Sequence, residues 1–454
     1  MSKSKQNIRT FYTIILTQTF SLLGTQISGL AVGIWLYDRT GQAMPLALVA
    51  FFGILPKALA AGAAGVLADR WNRRYVMALA DAGQAVGSLL LLLSIVSSYF
   101  ELWHLYTITL LQAVFRTFQE PAFEASVTLL VPDSERDRAN AIRQVNGSLS
   151  GIISPSLAAV TYALVGVTGA IGVDLLTFLV AVGVLLNAHI PQPEQTEIGK
   201  RLQGSIRKDF LVGWKYLREA RPIFLIFAMS TLTNFFATCA VVLFTPYILA
   251  RTHENEFMLG ILLGVADVGA VIGGIVIGVW GGTRPRKNTF IPAFLISAVF
   301  LALIGVARQP ILMGMMFFLF NLPLAIGNAP LVSIFQVKIP PDIQGRVFGV
   351  LGQINIFLNP VGFLLGGALA DHVFEPAVGA AGWDVVAPLV GNGVGAGMGL
   401  LIFICGALEL LTLAVGVSIS DIRNIETALP DYAPWAARTD EPDIAGEPEL
   451  TPIA

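Results

Sequence analysis

Residues 222–250 contain no Asp, Glu, Lys or Arg, and neither do residues 309–337. An α-helix needs about 20 mostly apolar residues to cross a bilayer. Each run is therefore long enough to span a membrane. A backbone inside hydrocarbon must satisfy its own hydrogen bonds, which leaves helices or closed barrels. A barrel would show ~10-residue alternating segments, whereas the runs here are continuous. Twelve helices are predicted, over residues 10–36, 46–67, 75–98, 103–130, 142–165, 168–189, 222–249, 257–280, 289–307, 310–336, 346–370 and 396–418. Only 13% of the 454 residues are charged, against roughly 25% in soluble domains. A soluble enzyme is excluded on that ground. The first run, uncharged over residues 10–37, is too long for the apolar core of a cleaved signal peptide and is read as a helix.

Orientation follows from Lys and Arg, which favour cytoplasmic loops. With the N-terminus in the cytoplasm, 23 of the 28 basic residues fall on the cytoplasmic side. Three (Arg39, Arg251 and Arg308) fall on the opposite side, and Lys57 and Arg116 lie within spans. One missing helix would scramble that split. The polar interval 191–221 places Phe210, Leu211, Trp214 and Leu217 at helical spacing among charges, the pattern of an amphipathic surface helix. The predicted units are a six-helix bundle over 1–190, a cytoplasmic linker over 191–221, a second six-helix bundle over 222–420 and an acidic, disordered cytoplasmic tail over 421–454. The tail holds eight acids against Arg423 and Arg438, a charge of −6, so the rest of the chain is +4 within a total of −2.

The two halves echo each other. Gly65, Arg73 and Arg74 after the second span match Gly278, Arg286 and Lys287 after the eighth at an offset of 213, while Asp69 meets Gly282. Pro132 and Arg138 match Pro340 and Arg346 at an offset of 208. Parallel six-helix repeats are a transporter architecture, with the substrate site between halves near the midplane.

At these residues the chain resembles the major facilitator superfamily. GVLADRWNRR (65–74) is similar to the superfamily's signature loop between its second and third helices. FQEPAFEASVTLLVP (118–132), ERDRANAI (135–142), VDLLTFLVA (173–181) and QGRVFGVLGQI (344–354) look like its bacterial macrolide-efflux and enterobactin-exporter branch. The resemblance covers residues 10–425. It implies an all-α membrane fold in which two bundles rock to give alternating access. It also implies a cytoplasmic gate of Gly65, Asp69, Arg70, Arg73 and Arg74, with Asp81 expected to join that latch. Asp69 would meet the opposite bundle, and Arg73 the acids Asp133, Glu135 or Asp137. Asn72 stands where the pattern favours Gly and is expected to tolerate a left-handed turn. Gly147, Gly151 and Pro155 in the fifth span are similar to a loose antiporter motif. Small residues four apart equally serve close helix packing.

Charges inside spans cost at least ~2.5–3.5 kcal/mol on insertion scales and are functional candidates. Glu120, Asp267 and Glu124 are the proton-coupling candidates, and Lys57 and Arg116 the cavity cations. Arg116 and Glu120, four apart, can pair on one helix face. Lys57 has no acid near it in sequence, and Asp267 of the other half is a candidate partner. Asp174 is expected to cap or pack near the outer surface, and Glu409 has no assigned role. Gln26, Gln112, Asn234, Asn321, Asn328 and Asn355 are candidate cavity polar groups.

No G-x-x-x-x-G-K-[ST] occurs, so no P-loop binds nucleotide. Cys239 and Cys405 lie in apolar runs and the four histidines are scattered, so no metal or other cofactor is expected. The reading is a secondary transporter, not an enzyme, expelling amphiphilic small molecules in exchange for protons. It is expected as a monomer in the bacterial cytoplasmic membrane, with no nucleic-acid partner. A lysophospholipid or nutrient transporter of the same fold, and a non-transporting membrane receptor or assembly protein, remain open alternatives.

Overall fold

The computed structural model describes residues 3–131, 135–188, 206–341, 343–429 and 431–432. Side chains are described for these residues except 3–9, 61–70, 125, 127–129, 136–138, 140–149, 206–209 and 428. The described residues fold into helices, and twelve spans emerge. The first half consists of α1 (Lys3–Thr40), α2 (Met44–Arg70), α3 (Arg73–Val96), α4 (Leu102–Leu130) and one continuous helix, Arg136–Asn187. That last helix breaks at Gly166, whose φ of 65° and ψ of −173° turn the chain back. Positive φ favours glycine. The break divides it into α5 (136–165) and α6 (167–187).

The second half opens with α7 (Ile206–Glu219), α8 (Arg221–Val241) and α9 (Phe244–Arg251), the last two forming one span. It continues through α10 (Glu256–Trp280), α11 (Lys287–Val306), α12 (Pro310–Lys338) and α13 (Gln344–Leu369) with a π-turn to Phe374. The short α14 (Ala387–Val390) leads into α15 (Ala396–Ser418), followed by α16 (Ser420–Arg423) and α17 (Ile425–Ala428). Of these, α4 reaches spanning length but carries its charges mid-helix, at Arg116, Glu120 and Glu124.

Two sequence expectations change. The amphipathic segment is helical, but α7 is not a free linker element. Leu217 is fully buried in the second half's apolar core, and a Cβ on Gly213 would stand 2.7 Å from the Arg346 carbonyl of α13. Glycine alone allows that approach. The first part of the linker, 191–205, lies outside the described residues. The tail is not disordered from residue 421. Ile422 and Ile425 are buried, and the Glu426 carboxylate accepts from the backbone N–H groups of Arg286 (2.8 Å) and Lys287 (3.2 Å). Lys338, only 2% exposed, donates to the carbonyls of Glu426 (2.6 Å) and Leu429 (2.5 Å) and pairs with Asp431 at 2.7 Å. Apolar anchors and a buried cation thus hold residues 419–432 as a clasp across the inner ends of α8, α11 and α12. The tail beyond residue 432 lies outside the described residues.

The packing is asymmetric across the membrane. Here "inner" denotes the face predicted to be cytoplasmic. Near the outer face one apolar cluster joins both halves, with Ile34, Tyr37 and Ala43 against Leu243, Tyr247 and Ala370. Near the inner face the clusters are separate. One holds Phe11, Met77, Leu130 and Leu185 of the first half, the other Leu217, Phe290, Val347 and Leu413 of the second.

Candidate functional site

Three of the in-span charges meet between α2 and α4 of the first half. Lys57 on α2 reaches Glu120 on α4, with Nζ to Oε2 at 2.5 Å. Arg116, one turn before Glu120, stands 3.9 Å from Oε1. Their side chains are 41%, 46% and 50% exposed, a trio facing open space rather than packed protein. Glu124, one turn further along α4, is also exposed. The neighbouring Ala58 carbonyl accepts from Gln353 of α13, which ties this level of α2 to the second half. A cation beside a carboxylate lowers the burden each charge places on the membrane interior.

Two seams close the halves toward the outer face. Along the first, α10 lies on α5: a Cβ at Gly260 would stand 2.8 Å from the Pro155 carbonyl and from Ala159 Cβ. At this seam's deeper end, the half-buried Asp267 carboxylate faces Gly151, with Oδ2 3.7 Å from where a Cβ would sit. Along the second, α13 lies on α2. The Asp371 carboxylate accepts from the backbone N–H groups of Ala43 (2.8 Å) and Met44 (2.6 Å), capping α2 from the opposite half. First-turn N–H groups have no partner within their own helix, so this cap satisfies donors that are otherwise orphaned.

The first half also holds an internal polar network. Asp81, with no exposed surface, accepts from Gln18 Nε2 (2.8 Å) and Gln119 Nε2 (2.5 Å). Gln84 donates to Gln119 (2.7 Å), and Gln112 donates to the Gln84 carbonyl (3.0 Å) and Ser88 Oγ (3.1 Å). The chain ends at Asp174, which accepts from Ser88 (2.7 Å) and Thr25 (2.9 Å).

Against this geometry the comparisons with known proteins are decisive. Residues 14–358 match the sequence profile of the Major Facilitator Superfamily. The chain belongs to that superfamily. Macrolide efflux protein A of Streptococcus pyogenes is 29% identical over 376 residues, covering 80% of this chain and 90% of that protein. Enterobactin exporter EntS of Shigella flexneri is 25% identical over 406 residues, covering 89% and 91%. Among solved structures, a bacterial homolog of the human lysosomal transporter Spinster, in an inward-facing and unoccupied conformation, superposes with a TM-score of 0.70. It shares 12% identity and covers 92% of this chain and 96% of that one. The nucleoside transporter NupG gives 0.67 at 12% identity, covering 90% and 98%. At those identities the structures speak for the fold alone: twelve helices in two six-helix bundles related by a pseudo-two-fold repeat.

Within this facilitator fold the predicted residues scatter informatively. Lys57 is partnered by Glu120 on a neighbouring helix of its own half, rather than by Asp267. Asp81 lies in the first half's interior, bonded to α1 and α4 amides. The side chains of Gly65, Asp69, Arg70 and Gly147 lie outside the described residues. Arg73 is buried and Arg74 stacks on Tyr75 at 5.6 Å. Asn72 is not left-handed: with φ −65° and ψ 109° it is the N-cap of α3, its side chain accepting from the Arg74 N–H at 3.1 Å. Asn is a favoured residue there because its carbonyl satisfies a first-turn donor.

Gln26 accepts from Ser154 at 2.5 Å, and Gln112 belongs to the internal network. Asn321 and Asn355 donate to carbonyls of their own helices. Asn234 bonds Asn359 at 3.1 Å, and Asn328 is exposed. The residues that sequence reasoning passed over are Thr25, Gln84, Ser88 and Gln119. The signal was present: Gln18 and Thr25, Asp81 and Ser88, and Gln112 and Gln119 are each seven apart, two turns along one helix face.

Proposed function

We propose that this chain is a proton-coupled exporter of amphiphilic small molecules, working by alternating access in the bacterial cytoplasmic membrane with both termini in the cytoplasm. The observation that carries the reading is the Lys57–Glu120–Arg116 trio, half-exposed inside the membrane beside the seam between halves. Ionisable groups in spans are expensive and are retained where substrate or ions pass. The efflux-named relatives, among them multidrug efflux pump Tap of Mycolicibacterium fortuitum, support outward movement of a drug, macrolide, siderophore or natural product.

The outer seams are closed and the inner apolar cores are separate, as suits a carrier open to the cytoplasm. Glu120, and Asp267 at the depth of the α5–α10 seam, are the carboxylates assigned to proton exchange, with Glu124 on the exposed side of the same α4 path. The chain acts as a monomer whose partners are substrate, protons and the bilayer.

The test is transport in reconstituted vesicles under an imposed proton gradient, against a panel of amphiphiles including macrolides. Wild type is expected to move at least one panel member against its gradient. Glu120→Gln or Asp267→Asn is expected to abolish proton-driven movement while the protein stays in the membrane. Full-rate transport by both variants refutes the coupling assignment.

A further inference from the structure

A cavity of about 170 Å³ lies inside the first half, lined only by residues of that half. Its polar lining includes Thr25, Gln84, Ser88, Gln112, Arg116 and Asp174. Its volume is enough for several waters, and these hydroxyls, amides and carboxylate offer them partners. Asp174 is 3% exposed, and both of its carboxylate oxygens accept from neutral hydroxyls, Thr25 and Ser88. Of the helices that surround it, the polar groups that α1 adds to the cavity are hydroxyls and those that α3 adds are Gln84 and Ser88, with no charge from either. From α2 come Val49 and Gly53, with Lys57 one turn further along and already paired to Glu120. The one charge facing Asp174 from α4 is Arg116, whose ion pair is with Glu120 at 3.9 Å. Asp81 lies at the far end of the amide network.

We infer that Asp174, with Thr25, Ser88 and the polar groups of the cavity, forms a second proton-holding site inside the first half, coupled to the occupancy of Glu120 through the charge of Arg116. This rests on the proton-coupled reading and deepens it. A carboxylate enclosed this way has no cation bonded to it, and an unbalanced buried charge costs several kcal/mol. A proton removes the charge without displacing any neighbour. Arg116 pairs with Glu120 and also lines the cavity that holds Asp174, so a change of rotamer is the move that carries its planar fork from one acid toward the other. While it leans toward Glu120, Asp174 keeps its proton. When substrate or a second proton occupies Glu120, Arg116 is released toward the cavity and balances the Asp174 carboxylate. The step breaks the Asp174 O–H bond and forms an O–H bond on a water in the cavity, from which the excess proton passes along water to bulk solvent; the carboxylate is left against Arg116 and no oxidation state changes.

The experiment is infrared difference titration of the carboxyl carbonyl band on purified full-length protein, without substrate. Wild type is expected to show a protonated-carboxyl band that disappears on raising the pH. Asp174→Asn removes it. Ser88→Ala shifts its frequency by removing a hydrogen-bond donor but leaves its intensity. Glu120→Gln, which frees Arg116, weakens it at a fixed pH. A protonated Asp174 that is not coupled to Glu120 loses its band in Asp174→Asn and shifts it in Ser88→Ala, but keeps it unchanged in Glu120→Gln. A wild type without such a band, an intact band in Asp174→Asn, an unmoved band in Ser88→Ala, or an unweakened band in Glu120→Gln overturns the inference. The Ser88 variant serves if Asp174→Asn does not fold. Vesicle transport separates the two readings: gradient-driven efflux with no Asp174 band sinks only this site, and gradient-independent efflux sinks the coupling itself.

Discussion

The Asp371 cap gives a quantitative handle on the outer gate. Two backbone N–H groups at the start of α2 depend on a carboxylate of the opposite half, at 2.8 and 2.6 Å. Removing an N-cap acceptor costs ~0.5–2 kcal/mol, and a hydrogen bond to a charged group contributes roughly 1.5–3 kcal/mol. In an opened gate both N–H groups regain water, so only the difference counts. A value of about 2 kcal/mol for the outward-closed state is reasonable, and since each ~1.4 kcal/mol is tenfold, Asp371→Ala shifts the closed-to-open ratio roughly 30-fold. Asp371→Asn, which keeps one acceptor oxygen, falls between.

The assay is single-molecule energy transfer between dyes at Gln42 and Val385, both exposed outer positions on opposite halves. The buried Cys239 and Cys405 are replaced by serine so that labelling is confined to the chosen sites. A long-distance population must grow in Asp371→Ala. Unchanged populations in both variants would mean that the cap is incidental and that apolar packing alone closes the outer face.

Lys338→Met removes the cation that three oxygens of the clasp surround. Losing one partner of a buried pair costs ~3–5 kcal/mol, and with Asp431 itself 67% exposed the lower end applies. A fall of several degrees in the thermal midpoint of detergent-purified protein checks it. Truncation after Ser418 should reproduce the fall, and truncation after Tyr432 should not. The Tyr216 phenol on α7 donates to the Lys338 carbonyl at 3.2 Å, and burial, followed by the nearby Tyr432, pushes it from 10.0 up to about 12. Its folded value lies above its ordinary one, so this docking contribution is complete below pH 10 and is lost as pH rises through about 12. Trp214, packed 6.2 Å from Phe224, should report that alkaline change by fluorescence, and Tyr216→Phe should abolish it.

Span number and order could be read from the long apolar runs because the bilayer imposes one requirement on every span. The Arg116–Glu120 pair was legible from its spacing of four on one helix. The Lys57 partner was not, since nothing in a linear chain says which helix stands beside α2. Asp81 shows the same limit: its position near the start of a span suggested the gate, but the α1 and α4 amides around it are set by tertiary packing. Ile422 and Ile425 were hidden by the acids around them, because average tail composition outweighed two apolar residues that fit a specific groove.

The docking of α7 has a consequence for how the molecule is joined. With α7 fixed to α13 at Gly213, the covalent tether between bundles shrinks to the seventeen residues between Ala188 and Ile206. Fully extended, that tether reaches roughly 55 Å, too long to dictate how the bundles sit. Their registration is therefore written in the seams rather than in the peptide chain. A gene cut between codons 189 and 205 should yield two fragments that find each other in the membrane, each carrying an inner apolar core of its own and a share of the outer one.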